Sequence, residues 1–480
     1  MAGEMMKMNK DEDKTSEFRS GVTKGVSVLR GDPRKAIIKL SGPMIVAMLL
    51  FAVYNLVDAI WVAGLGSDAL AAVGFITPVY MILVGIGNGL GAGVTSAVSR
   101  RIGAKDKFGA DSTALHGVLI SVILSLIVTV PLFLLVEPLV IMMGAGSAAG
   151  LAAEYGQIIF TGTIFILFTN VGYAILRAEG DTKRTMYAMG ASAVLNMILD
   201  PILIYSAGMG IGGAAWATVI SVASVSAILI YWLLIRKDTY VSISMAKFSP
   251  DRKVVGDIFR VGLPAGLEFL LMSVVIVIIN AILVLVSGVD AVAVYTAGWR
   301  VVMFAIIPMI AIGTSTVAVT GALFGGRRYN ELPALHNFST GIGITIAIGI
   351  SLITWVFAPW IAMIYTYTGE SAHLAPAIVA FLQTMCFFYP FVSPGVMSSS
   401  LFQGTGRGLD SLIMSLLRNL VFIAVFAYLL AIVLGWGEPG VWWGIVAGNI
   451  LGGLVSFTWA HLYVNRLNRC RESRPEPALD

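Results

Sequence analysis

Charged residues make up only 12% of the 480 residues, against about 25% in a soluble domain. That scarcity excludes an ordinary water-soluble fold. Cysteine is nearly missing: Cys386 lies in an apolar run and Cys470 in the tail, which excludes a disulfide framework. The four histidines, His116, His336, His373 and His461, are scattered, and no His/Cys/carboxylate cluster has metal-ligand spacing. No phosphate-cradling P-loop is present, so ATP-driven work by this chain is not expected. A nucleophile elbow and a zinc-protease string are also missing, which argues against a membrane-embedded enzyme. Gly208-x-Gly210-x-x-Gly213 matches the dinucleotide fingerprint only as a string; without the strand before it, it reads as a tight turn between two spans. Residues 1–33 are polar and lack the apolar core of a cleaved leader. The net charge of +4 is small, and no nucleic-acid partner is expected.

Apolar residues are abundant, at 58%. Runs of about 20 recur along the whole chain, each long enough to cross a bilayer. Twelve spans are predicted, near 36–64, 69–98, 112–135, 154–176, 185–206, 211–235, 255–287, 290–324, 334–359, 373–402, 409–434 and 440–465. The fold class is therefore an all-α polytopic membrane protein with a lipid bilayer as its solvent.

The sequence also repeats itself. Gly66-Ser-Asp68-Ala69 returns as Gly288-Val-Asp290-Ala291, Pro43 as Pro264, and Gly91 and Gly103 as Gly313 and Gly325. Gly208-Met-Gly210 through Trp216 returns as Gly435-Trp-Gly437 through Trp443. Six spans thus duplicate into six, and an even number per half gives parallel repeats about an axis along the membrane normal. The expected organisation is a cytoplasmic tail 1–33, an N-lobe six-helix bundle 34–235, a cytoplasmic linker 236–253, a C-lobe bundle 254–466 and a cytoplasmic tail 467–480. The glycines Gly85, Gly87, Gly89, Gly91 and Gly93 have the small-xxx-small spacing of close helix packing.

Carboxylates inside the spans are costly, by about 3 kcal/mol each on insertion scales, and mark pathways or relays. Asp58 sits in Tyr54-Asn55-Leu56-Val57-Asp58, and Asp200 follows Asn196 by one helical turn. Counting a rise of about 1.5 Å per residue, Asp58, Asp200 and Thr218 all lie roughly 10 Å below the outer surface. Asn196 and Tyr54 lie one turn deeper on the same side. These residues are expected to meet. A proton, or a Na+ held by Asp58, Asn196, Asp200 and Thr218, would neutralise the two acids, and the hard oxygen donors suit either. Pro43 and Pro201 interrupt the two spans near the acids, as passive kinks or as hinges. Glu268 and Arg300 have overlapping depths and are expected to pair or to contact a substrate; Arg418 has no obvious partner.

These stretches resemble the multidrug and toxic compound extrusion (MATE) family, and within it the prokaryotic DinF-type branch. The resemblance rests on Pro43 through Gly64, Gly103-Ala104-Lys105, Arg177-Ala-Glu-Gly180-Asp181 and Asn196-Met-Ile-Leu-Asp200-Pro201, within about 31–466. It implies two six-helix bundles around a central cavity and a secondary active exporter of organic, often cationic, drugs. Coupling would be to inward H+ or Na+ by alternating access, with no other cofactor. It implies that Asp58, Asn196, Asp200 and Thr218 form a cation site with Tyr54, Tyr155 and Asn170 beside it. Glu268 falls near a second-lobe site used in other branches, where Gln383 is the polar candidate in span 10. The partners implied are small-molecule drugs, and a monomer in the plasma (inner) membrane of a prokaryote is expected. A flippase for a lipid-linked or amphipathic substrate is the alternative.

Orientation follows from the basic residues. Arg100, Arg101, Lys105 and Lys107, then Arg177, Lys183 and Arg184, then the loop 236–253, Arg327 and Arg328, Arg407, and the tail from Arg466 all fall on alternate loops. The loops near 65–68, 136–153, 207–210, 288–289, 360–372 and 435–439 contain no Lys or Arg. By the positive-inside rule both termini are cytoplasmic. An impermeant thiol probe on intact cells should therefore label a cysteine placed at Ser67 or Ala148 and spare one at Ser242. The reverse pattern would invert the topology.

Overall fold

The computed structural model describes residues 23–236, 238–245, 248–366 and 372–472. Lys237, Lys247, Arg474 and most of the two expected tails lie outside them. All regular structure among the described residues is helical. Ten helices are long and apolar enough to cross a membrane, and two bent pairs raise the number to as many as twelve. Helices satisfy every backbone polar group within one segment, as hydrocarbon demands.

The chain forms two compact units. Unit 1 comprises residues 1–80, 94–258 and 321–327, and unit 2 comprises 81–93, 259–320 and 328–480. The partition differs from the two sequence halves in two short pieces: 81–93 belongs to unit 2 and 321–327 to unit 1. Glycine accounts for both. Gly85 and Gly89 let residues 81–93 pack against Gly262, Gly266 and Phe269 with almost no side chain between the backbones. Gly103 and Gly325, equivalents in the repeat, face the backbones of Ala322 and Arg100, where no Cβ would fit.

Unit 1 begins with α1 (Lys24–Arg30) and α2 (Pro33–Ala63), capped by Asp32 with proline at its first turn. Next come α3 (Ser67–Gly103), α4 (Lys107–Met142), α5 (Ala149–Thr161), α6 (Thr163–Ala178), α7 (Thr182–Pro201) and α8 (Gly210–Ile230). The expected span 154–176 is α5 and α6, bent by 48° at Gly162. After Pro201, α7 widens into a π-helical turn, Ile202–Ser206. Proline has no N–H to donate, so the ladder is already interrupted there, and a wider turn can follow.

Unit 2 holds α9 (Arg252–Ser287) from Phe259 onward, α10 (Val289–Gly325) as far as Thr320, α11 (Leu332–Tyr365), α12 (Ala375–Met385), α13 (Tyr389–Gly404), α14 (Gly408–Ser415), α15 (Ile423–Tyr428) and α16 (Glu438–Glu472). The expected span 373–402 is α12 and α13, bent by 50°. It is the repeat partner of the α5–α6 pair, so the break recurs in both halves. So does the π turn: Leu429–Val433 stands where Ile202–Ser206 stands in the first half. Gly208 and Gly210 at φ +66° and +55° match Gly435 and Gly437 at +68° and +66°. Glycine adopts these left-handed angles without a Cβ penalty, which explains the repeated string.

On its basic side, unit 1 clips the linker onto its helices. Arg184 holds Asp238 with two bonds, of 3.0 and 2.7 Å, and stacks on Trp232. Arg30 and Lys107 lie over the Tyr240 ring at 5.6 and 5.2 Å from its centroid, Arg30 also donating to Ile102 O and Tyr240 Oη. Ser242 N donates to Asp111 at 2.7 Å, and Asp251 N to His116 Nε2 at 3.0 Å. Because His116 Nδ1 lies 2.7 Å from Ser112 O, that ring carries its proton on Nδ1 and is neutral. Glu179, 1% exposed, accepts from Val241 N at 3.1 Å.

Burial pushes the Glu179 carboxyl from 4.5 up to about 8, against the opposing backbone bonds from Val241 and Tyr240. Between those values the folded chain keeps a proton that the unfolded chain has lost. The stability due to this group is therefore complete below 4.5 and is lost as pH rises through about 8. Glu179→Gln cannot lose that proton. Its melting temperature should fall less than the wild type's between about pH 6 and about pH 9. An identical fall would mean that Glu179 does not set this limb.

Candidate cation site

The polar groups of unit 1 converge where α2, α3, α5, α7 and α8 meet. α2 and α7 pack along their length. On facing turns they bring the carboxyl groups of Asp58 and Asp200 within hydrogen-bonding distance of each other. Asp200 is fully buried, with Asn196 2% and Thr218 7% exposed. Asp58 Oδ1 and Asp200 Oδ1 are buried and have no partner among the described residues. Two carboxylates cannot share such a contact when both are ionised; a proton or a cation must lie with them.

Asn196 locks the acid in place. One terminal atom of its amide lies 2.9 Å from Asp200 Oδ2 and the other 3.1 Å from Thr218 N. Only one orientation satisfies both: Nδ2 donates to Asp200, and Oδ1 accepts from Thr218. The spacing of four puts Asn196 and Asp200 on one face of α7, as the sequence implies. Tyr54, one turn before Asp58, faces Thr218 and Asp58. Tyr155 of α5 lies within electrostatic reach of both acids.

Two further residues bear on the site. Asn170 Nδ2 donates to Ile166 O of its own helix at 2.9 Å, and among the described residues no bond joins it to the acids. Conversely, Tyr80 of α3 lies within electrostatic reach of Asp58 and Tyr155, though the sequence reading did not select it. Its one signal is that it is the lone tyrosine of the 69–98 span. Pro43 sits inside an unbroken α2, while Pro201 ends α7 directly beside Asp200.

Unit 2 corrects the expected Glu268–Arg300 pair. Glu268 Oε1 accepts from Ser411 Oγ at 2.7 Å, with Ser415 and Gln403 close to the carboxylate. Ser399 and Ser411 are 2.6 Å apart. The cation facing Glu268 is Arg418, 8% exposed, whereas Arg300 is exposed. Arg418 donates to Val392 O at 3.4 Å and fills space left by Gly395 and Gly452, where a Cβ would overlap it. Gln383 is half-buried on α12 and is not among the groups around Glu268. Depth counting misses the true partner because the Arg418 turn is π-helical, Leu416–Phe422, so its face does not follow from a 3.6-residue period.

Arg418→Gln should therefore cost stability, on the order of 1 to 3 kcal/mol, by removing the cation that faces the half-buried Glu268 and the bond to Val392 O. Arg300→Gln should change the melting temperature little. Both are read by thermal unfolding of purified protein; equal losses would restore the Arg300 pairing.

The MatE family model matches residues 43–202 and 264–429, one copy in each half of the chain. A multidrug export protein, MepA of Staphylococcus aureus, is 28% identical over 440 residues, covering 90% of this chain and 94% of the relative. A crystal structure of MATE in complex with MaL6 superposes with a TM-score of 0.91 at 41% identity, covering 93% of this chain and all of that one. A transporter of the MOP superfamily from Pyrococcus furiosus, for which a reverse polarity of the binding pocket is described as suggesting a different function, has the same TM-score and identity and covers 93% of this chain and 99% of that one. Two matched copies, the duplicated bundles and near full-length coverage agree: the chain is a transporter and belongs to the MatE family.

Proposed function

We propose that this chain is a secondary active exporter of organic, often cationic, drugs, which it antiports against inward H+ by alternating access. The observation that carries the reading is the buried Asp58–Asp200 contact, with an unpartnered oxygen on each acid and an amide fixing one of them. Such a pair binds one positive charge when it is closed and repels itself when that charge leaves. A gradient of protons supplies and removes the charge. Na+ fits the same four residues, Asp58, Asn196, Asp200 and Thr218, through hard oxygen donors, and is the second coupling ion. ATP has no part in the cycle, and the working unit is a monomer in a prokaryotic cell membrane with both termini cytoplasmic. The expected division into 34–235 and 254–466 remains the functional division into lobes, with the linker 236–253 cytoplasmic.

A second reading, movement of a lipid-linked or amphipathic substrate, is favoured by the Pyrococcus furiosus relative described as having a reversed pocket polarity. A cation is nevertheless the substrate that two uncompensated acids in unit 1 suit.

Asp58→Asn keeps the volume and most of the hydrogen bonding but removes one titrating group. It should abolish drug efflux driven by a pH gradient in proteoliposomes while leaving the protein folded. Asp200→Asn should do nearly the same, and the double variant should be no worse than either, because the acids act as one unit. Full gradient-driven efflux from folded Asp58→Asn protein would sink the reading. An absolute requirement for Na+ at fixed pH gradient would exchange the coupling ion.

A further inference from the structure

The carboxyl contact is not alone in joining α2 to the α7 segment through polar atoms. A second contact lies one turn further out. Tyr205 Oη donates to the carbonyl of Trp61 at 2.6 Å, and the two rings meet edge-on at 6.1 Å. The same carbonyl accepts from Gly64 N at 3.2 Å, at the very end of α2. Gly64 leaves room for the phenol: a Cβ there would overlap Oη.

Both grips depend on the π turn. In an α-helix, residue 205 would sit about 140° around the axis from residue 200 and would turn away from α2. The widened turn, with Ala207 N bonded to Ile202 O at 2.8 Å, brings Tyr205 back over α2. On α2, Asp58 and Trp61 are three residues apart and so share a face. Asp58 touches Asp200, and Trp61 touches Tyr205. The spacing on one helix is α-helical and on the other π-helical, yet the two pairs remain in register.

Resting on the proposed coupling role of the acids, we infer that Tyr205 is a positioning residue for that pair. Its phenol ties down the last turn of α2, so that Asp58 is held against Asp200 by a bond above it as well as by helix packing. Tyr205 does not contact the acids. The titratable groups that face them are Tyr54 on α2, Tyr80 on α3 and Tyr155 on α5, with Asn196 and Thr218 as neutral donors and acceptors. Tyr205 acts only through the Trp61 carbonyl. An exposed tyrosine at the outer edge of a span otherwise serves as an interfacial anchor, and an anchor needs no register with Asp58.

Tyr205→Phe removes the bond and keeps the ring. Gly64→Ala displaces the phenol while keeping it. Two measurements apply to the full chain. In the first, backbone hydrogen exchange of residues 61–66 is followed in purified protein. Both variants should exchange there on the order of tenfold faster than wild type, with the rest of the chain unchanged. In the second, uptake of a fluorescent organic cation by proteoliposomes is measured against pH. The variants should shift the midpoint by about half a pH unit to lower pH, because two loosened carboxyls release their shared proton more easily. Maximal rate and melting temperature should stay near wild type. Exchange at 61–66 equal to wild type in both variants would overturn the tether. Faster exchange with an unmoved pH midpoint would reduce Tyr205 to an anchor and overturn its positioning role. Wild-type protein that moves the cation with no pH dependence would instead defeat the coupling reading and leave the exchange result to stand on its own.

Discussion

Two carboxyl groups in contact inside an apolar bundle constrain everything around them. Each ionised acid alone is costly in hydrocarbon, and two together repel. α2 and α7 can pack side by side at Asp58 and Asp200 only while something positive neutralises the pair. The surroundings of the site follow from that requirement. Asn196 has one face for Asp200 and the other for the Thr218 backbone, so it fixes the acid without adding charge. The tyrosines Tyr54, Tyr80 and Tyr155 add polar hydroxyls on large apolar rings. Among the described residues no arginine or lysine is found at the site, and a permanent cation would remove the need for a mobile one.

Unit 2 solves the same problem in the opposite way. Glu268 is half-buried beside Ser411, Ser415 and Gln403, and Arg418 lies within electrostatic reach as a fixed positive charge. The backbone duplicates closely: broken spans, π turns and left-handed glycine pairs recur at matching places. The polar content does not. A fixed internal cation makes the Glu268 cluster a poor place to exchange a proton or a sodium ion. Under the proposed function, the asymmetry favours unit 1 as the place of coupling, although both units inherit the same helices.

Much of this was legible in the sequence, and the limits have physical causes. Span positions followed from the length of apolar runs, and the duplication from glycine strings whose left-handed angles no other residue adopts cheaply. Asp58, Asp200, Asn196 and Thr218 could be grouped because rise per residue converts sequence position into depth. That conversion assumes a uniform helix. It fails at Arg418, which lies in a π segment and, rather than Arg300, is the cation facing Glu268. It also says nothing about direction around a helix axis between helices of unknown packing, which is why Tyr80 does not stand out in the sequence. The partition into units was illegible for a related reason. It is decided by which backbones glycine allows to touch, as at Gly89 and Gly262, and not by any break in the chain.

The Arg177-to-Asp181 stretch shows how a string shared with a family can be read residue by residue. Gly180 takes a left-handed angle, φ +80°, where Gly25 of α1 lies against it. Asp181 caps α7 by accepting from Arg184 N, and Arg184 reaches on to Asp238 of the linker. Glu179 holds the linker from the other side. These contacts fasten the inner end of α7 firmly. Its outer end is different: Pro201 interrupts the ladder, and a π turn follows. A helix fixed at one end and irregular at the other gives way at the irregular end. Asp200 sits at that boundary. On the proposed coupling, when the charge shared with Asp58 departs, the repulsion of two facing carboxylates falls on the segment of α7 least able to resist it, while the linker end stays in place.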